Sequence, residues 1–475
     1  MRKLFRMSHV LVLALALTSA LSAENAAAPY DSLPVDPALC GPEDRGEEGK
    51  PGVLSTAGLA PYKSYPEVLQ LLHQYGRKHP GLMTVYSIAD PHPKTEGGNE
   101  IGAVRISKAP ISEMFKRPVV YFNALQHARE MMSMEVALDI IQYLTDSYGD
   151  DAQVTDWIDK TDIWVVPVAN PDGLDMIWRG FLNWRKNASA YGAFAHGNVM
   201  ASYSNVPAAS DVSAGVDLNR NYPYDWDNQE QSTKKPESED YRGPQPASER
   251  ETQNLMYFLS KYKPVAAISF HTNGELVLYP RGVKDQAQLP NETTYRYMAR
   301  KMGELIPKDC TEGTYRYGEF WSELYSVVGT ETGWMSSNLH TLAFVIELNA
   351  PYLGWQPRYE KWRDPTVRKA RAAWKQLVGS VWTNSFYGTI SNSKRQPIAN
   401  AKLVLSDAGL QSASTASPIY EANSAGYYHF IAVPNRRYTL KVFADGYQPI
   451  VQDVVLDSRS QKNDFEMRSL VEEVP

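Results

Sequence analysis

Four near-continuous apolar runs constrain this chain most: Val119–Ala124, Ile163–Val168, Val265–Phe270 and Leu342–Leu348. A strand with one wet face alternates apolar and polar residues. Runs without alternation predict central strands covered on both faces. Between them lie stretches of helical period. Ser133–Tyr148 carries Val136, Ala137, Ile140, Ile141 and Leu144 on one side, and Pro66–Lys78 offers Val68, Leu69, Leu71 and Leu72. This alternation predicts an α/β domain with a mixed central sheet and helices on both faces.

The pattern changes at both ends. Residues 1–23 read as a signal peptide. Arg2, Lys3 and Arg6 precede a short apolar run, Val10–Leu17, and then small residues. The run is too short to span a bilayer, so export to a secreted or periplasmic location is expected, with no membrane span. Residues 24–57, rich in Pro, Gly, Ala and Glu, read as a flexible segment. The α/β domain is assigned to 58–383, closed by a helix over Pro365–Trp382. From 384 to 468, short alternating runs (Tyr387–Ile390, Ala401–Leu405, Tyr427–Ile431, Tyr438–Phe443, Val451–Val455) are separated by turn residues. They predict a small all-β sandwich. Net charge is −6 with no basic cluster, so nucleic acid is not an expected partner. Two cysteines, Cys40 and Cys310, leave one long-range bridge and two free thiols both open.

The chemistry gathers at strand ends. His127 and Glu130, three residues apart, follow the first run, and His271 directly follows the third. His-x-x-Glu alone is a weak signal. With His271 it makes two imidazoles and a carboxylate, a set that suits one Zn²⁺ ion and leaves a fourth position open for water. Glu347, near the end of the fourth run, is an acid that must be paired or face a polar cleft. Beside zinc it could act as general base. Arg185 is a cation suited to an oxyanion. Asn219 and Arg220 suit a carboxylate, such as a peptide's C-terminus.

Taken together, these residues resemble the zinc metallocarboxypeptidases of the carboxypeptidase A type, the M14 peptidases, from about Tyr62 to Trp382. The resemblance implies His127, Glu130 and His271 as metal ligands, with Glu347 and Arg185 as catalytic residues. It implies Asn219, Arg220, Arg129 and a mobile Tyr325 as substrate-binding residues, with Thr332 at the base of the side-chain pocket. Asp217 is implied to orient the first histidine. Tyr315 and Tyr317 lie near enough to compete with Tyr325 in the alignment. Glu331 would attract Lys or Arg if it pointed inward. Asn273 and Leu182 depart from the family pattern. The C-terminal stretch resembles the transthyretin-like, carboxypeptidase-regulatory-like sandwich, whose members are structural or interaction modules. The expected function is hydrolysis of the C-terminal bond of peptides and proteins. Alternatives are a cell-wall γ-D-glutamyl-diaminopimelate peptidase, an aspartoacylase-type amidohydrolase, and a non-catalytic peptide-binding or adhesive protein.

Overall fold

A computed structural model describes residues 40–41, 59–88, 93–189, 214–228, 233–407, 417–457 and 459–471. The signal segment and nearly all of 24–57 lie outside the described residues.

The first domain is built on an eight-stranded mixed sheet. In chain order its strands are β1 (Met83–Ser87), β2 (Gly102–Ile106), β3 (Val119–Ala124), β4 (Asp162–Val166), β5 (Ala266–Thr272), β6 (Leu276–Tyr279), β7 (Arg316–Glu319) and β8 (Leu342–Leu348). Their spatial order is β1-β2-β4-β3-β5-β8-β6-β7. The four apolar runs are β3, β4, β5 and β8, parallel neighbours at the centre of the sheet. The edges are partly antiparallel: β1 on β2, β2 on β4, and β6 on β8. Every residue of β3, β4 and β5 is buried. That explains their unbroken apolar character.

The helices Met131–Ser147 and Tyr359–Thr383 pack on each other, with Trp374 and Ile140 both fully buried. The second helix begins six residues before the expected Pro365. A proline favours a first-turn position, but it is tolerated inside at the loss of one backbone bond. Buried Trp362 anchors the turn before it.

The C-terminal strands form two sheets, β11-β10-β13-β14 and β12-β9-β15, with β16 also pairing with β9. Here β9 is Ser385–Asn392, β10 Lys402–Asp407, β11 Ile419–Glu421, β12 Tyr427–Ile431, β13 Arg436–Phe443, β14 Ile450–Leu456, β15 Gln461–Lys462 and β16 Phe465–Met467. Their shared core includes Phe386, Leu403, Phe430, Leu440, Val442 and Leu456. Polar contacts that join the sandwich to the first domain include two short hydrogen bonds to backbone carbonyls. Asn423 Nδ2 donates to the Phe115 carbonyl at 2.7 Å, and His429 Nε2 to that of Val381 at 2.8 Å. Cys40 and Cys310 form a disulfide, closing the open alternative.

Candidate functional site

Sheet register places the site. In the parallel β5–β8 pair, His271 lies opposite Glu347. Neighbouring β3 runs out at Ala124, and the chain turns through Leu125 at φ 55° into the helix Met131–Ser147. That turn carries His127 and Glu130. Ser133 Oγ donates to the Glu130 carbonyl at 2.6 Å and accepts from the Leu125 amide at 3.1 Å, which fixes its shape.

Three donors converge there. His127 Nδ1 lies 2.8 Å from Glu130 Oε1. His271 Nδ1 lies 2.9 Å from Glu130 Oε2 and 3.1 Å from His127 Nδ1. The three residues are buried and form a metal-site grouping, with ligand atoms all within 4.8 Å of one another. Two ring nitrogens facing each other beside a carboxylate suit a shared cation better than a hydrogen-bond pattern. The spacings fit: a tetrahedron with arms of roughly 2.0–2.1 Å has edges of about 3.3 Å. Burial holds the His127 imidazole below its usual range, and the nearby Arg185 adds to this. Neutral imidazole is the form that binds metal.

Further groups orient these donors. Asp217, fully buried, accepts at Oδ1 from His127 Nε2 at 3.2 Å. Its Oδ2 accepts from Arg185 Nε and Nη2 at 2.9 and 2.8 Å. Burial alone would raise this carboxyl, but the Arg185 charge, with His127, holds it well below the usual carboxylate range. Arg185 is thereby pinned beside the ligands, with Nη1 3.7 Å from Glu130 Oε1. On the other ring, His271 Nε2 lies 3.2 Å from Ser269 Oγ and 3.5 Å from Asn219 Nδ2. Sequence reasoning missed Ser269. The signal was present, since residues two apart on a strand share a face.

A cavity of about 400 Å³ opens onto the donors. His127, Glu130, Arg185, Asn219, Arg220, Tyr325 and Glu347 all line it. Burial pushes the Glu347 carboxyl up to about 7, and the Glu130 charge pushes the same way. Tyr325 is 52% exposed, and its hydroxyl accepts from Arg220 Nη2 at 3.3 Å. Tyr315, a rival in the alignment, is buried and accepts from the Asn349 amide.

Two residues expected at the substrate lie outside the lining of this cavity. Thr332 is 1% exposed and does not line the cavity, whereas Thr330 does. The helix Glu331–Asn338 starts at Thr330, whose hydroxyl caps the Gly333 amide, and this first turn carries the next two side chains into the core. Glu331 is fully buried. Its Oε2 accepts from Asn123 and Gln126, both at 2.7 Å, and its Oε1 lies within 3.5 Å of Tyr121 and Tyr222. It braces the floor of the site, with burial pushing it up to about 7. Arg129 also stays outside the cavity lining, engaged by Glu239.

Comparison with known proteins agrees with this geometry. A family model described as zinc carboxypeptidase matches residues 68–361, and one described as carboxypeptidase regulatory-like domain matches 385–468. Mast cell carboxypeptidase A of Mus musculus is 27% identical over 299 residues, 62% of this chain and 65% of that protein. Metallocarboxypeptidase A of Trichophyton tonsurans is 29% identical over 218 residues, 45% of this chain and 47% of that protein. The chain thus spans less than two thirds of the length of these relatives. Among solved structures, bovine thrombin-activatable fibrinolysis inhibitor in complex with tick carboxypeptidase inhibitor superposes with a TM-score of 0.54. It is 21% identical and covers 67% of this chain and 96% of that one. Carboxypeptidase A from Helicoverpa armigera gives 0.55 at 23% identity, covering 67% and 72%. The two structures establish a shared fold.

Proposed function

This chain belongs to the zinc carboxypeptidase family, and from that premise we propose that it hydrolyses the C-terminal bond of peptides and proteins. One observation carries the reading. His127 and Glu130, grouped with His271 as one donor set, line a cavity that Glu347, Arg185, Asn219 and Arg220 line too.

His127, Glu130 and His271 would hold one zinc ion. Zinc bound there supplies Lewis acidity to a water molecule and to the scissile carbonyl. Glu347 takes a proton from the attacking water and returns it to the leaving amine. Burial raises this carboxyl above its ordinary value, which suits a group that must first accept a proton and then return it. The Arg185 guanidinium, fixed by Asp217, faces the developing negative charge without having to reorganise. Asn219 and Arg220 grip the terminal carboxylate, and the Tyr325 phenol lies over Arg220. Gripping a chain end makes the enzyme an exopeptidase.

We take the catalytic domain as 58–383 and the sandwich, a structural or interaction module, as 384–468. An exported protein is part of this proposal. The disulfide suits an oxidising compartment, and among the described residues no helix is long and apolar enough to cross a membrane. The test is mass spectrometry of a peptide library incubated with the protein, with and without a chelator. Stepwise loss of single C-terminal residues, abolished by the chelator and restored by zinc, is expected. Internal cuts, cleavage confined to γ-D-glutamyl-diaminopimelate peptides, or chelator-resistant cleavage would refute the reading.

A further inference from the structure

Resting on the reading above, a buried residue that the proposed chemistry leaves unused bears on how the cleft is held in register. One half of the cleft grips the chain end, through Asn219 and Arg220. The other carries the metal, on the turn with His127 and Glu130. Glu331, 0% exposed, meets both halves. Its amide N–H donates to Asn219 Oδ1 at 3.1 Å. A backbone N–H can meet only the oxygen end of a side-chain amide, so this bond leaves the Asn219 NH2 to donate to a carboxylate. The same two segments are clasped again close by. The Tyr222 amide donates to the Gly329 carbonyl at 3.0 Å, and the Tyr222 hydroxyl lies 3.4 Å from Glu331 Oε1. Gly329, at φ 67°, packs so closely that a Cβ there would come 2.2 Å from the Arg220 carbonyl oxygen. Residues 219–222 and 329–331 therefore form one packed unit.

The Glu331 carboxylate ties that unit to the metal turn. Its Oε2 accepts from Gln126 Nε2 and Asn123 Nδ2, both at 2.7 Å. Gln126 directly precedes His127, and Asn123 lies in β3, the strand that feeds the turn. All three side chains are buried, so removing the acceptor would strand two donors away from water. Asp217 also links the halves, but through the Asn219 backbone amide, at 2.9 Å. The Asn219 side-chain oxygen is held by Glu331.

We propose that Glu331 is a positioning residue that sets the spacing between the terminal-carboxylate grip and the metal turn. It thereby selects peptides ending in an α-amino acid, whose carboxylate stands one carbon beyond the scissile nitrogen. Glu331 acts through Asn219 and Gln126 and meets neither substrate nor metal.

The test measures kcat and KM on two N-blocked dipeptides. One ends in phenylalanine, the other in β-homophenylalanine, whose carboxylate stands one methylene farther from the scissile bond. The wild-type enzyme should prefer the first by about 100-fold in kcat/KM, the cost of misplacing the reacting atoms by about 1 Å. Glu331→Leu fills the space but removes the acceptor. It should lower kcat on the first peptide by about 30-fold, leave KM within about threefold, and shrink the preference to about tenfold. Glu331→Gln keeps an oxygen for Gln126 and Asn123 and should restore each value to within about threefold of wild type. Zinc content, and calorimetric binding of N-acetylphenylalanine to the zinc-loaded protein, should stay within about twofold in all three proteins, since the grip survives and only its register moves. If Glu331→Leu does not fold, Gln126→Met, which removes one donor, carries the test, with kcat down about fivefold and the preference roughly halved. A folded, zinc-loaded Leu or Met variant with wild-type kcat and preference would overturn this inference alone. So would equal losses in Glu331→Leu and Glu331→Gln, loss of zinc or of N-acetylphenylalanine binding in Glu331→Leu, or a wild-type enzyme that cleaves both peptides equally well. A wild-type enzyme that cleaves neither would overturn the carboxypeptidase reading instead.

Discussion

The cleft at the ends of β3, β5 and β8 and the core of the C-terminal sandwich differ in what they bury. Around the cleft lie His127, Glu130, Arg185, Asp217, Arg220, His271 and Glu331, each no more than 8% exposed. Among the described residues from 385 onward, only Ser385 and His429 are buried polar groups. The sandwich is stabilised by apolar area, which is non-directional and carries no chemistry. A buried charge costs free energy unless it is paired. Even so, these seven buried ionisable groups surround the cleft: five are tied together through the His127–Asp217–Arg185 chain and the Glu130–His271 contact, and Glu331 is held in a separate knot with Asn123 and Gln126. Arg220 reaches the Asn219 carbonyl and Tyr325. Such concentration marks the functional end of the sheet.

The comparison can be broken first at Glu347. Glu347→Gln keeps the shape and removes the proposed base. Activity should fall by about 10³-fold, within the range general-base catalysis supplies, with zinc content and melting temperature nearly unchanged. Steady-state kinetics beside metal analysis would check it. The sandwich counterpart is Phe430→Ala. Phe430 is 2% exposed and stacks on Tyr420 with ring centroids 4.1 Å apart. Its loss should cost about 3–5 kcal/mol of stability in denaturant titration, while kcat/KM of the folded fraction is unchanged. A large loss of activity there would mean that the two regions are coupled.

Two smaller effects lie at the junction. His429 is 8% exposed, and burial holds its imidazole down at about 4. Because the folded value is depressed, the unfolded chain binds the proton more readily. The contribution is therefore fully present above about pH 6.5 and is lost as pH falls toward 4, amounting to about 2–3 kcal/mol. His429→Gln should flatten that part of the pH–stability curve, as seen in melts at pH 7 and 4.5. Asn423→Ala removes the bond to the Phe115 carbonyl and a turn bond to the Ala425 amide. A cost of about 1–2 kcal/mol is expected by thermal melting, with turnover unaffected.

The two regions also differ in how far the sequence discloses them. Double-sided burial writes itself as unbroken apolar runs, so β3 and β8 are legible to the residue. The ligands and Glu347 are legible because they stand where such runs stop. The edge strands are not. β2 is interrupted by Arg105, whose pairing with Asp162 hides it, and β7 is only Arg316-Tyr317-Gly318-Glu319. The alignment gives the position of Thr332 but not its burial, which the first turn of the helix sets. Glu239 was invisible because its partner lies 110 residues away. Nothing local in Glu-Asp-Tyr announces that a distant arginine will need it. In the sandwich, the alternating runs locate β9, β10, β12, β13 and β14, but the short β11, β15 and β16 carry too few residues to show a period.

The central claim is that one divalent ion sits among His127, Glu130 and His271. Anomalous diffraction at the zinc edge, from crystals of the zinc-loaded chain, tests it directly. The account predicts one strong peak within about 2.3 Å of His127 Nδ1, His271 Nδ1 and a Glu130 oxygen. A peak elsewhere, or these donors splayed apart around no peak in protein that still trims peptides, would contradict it.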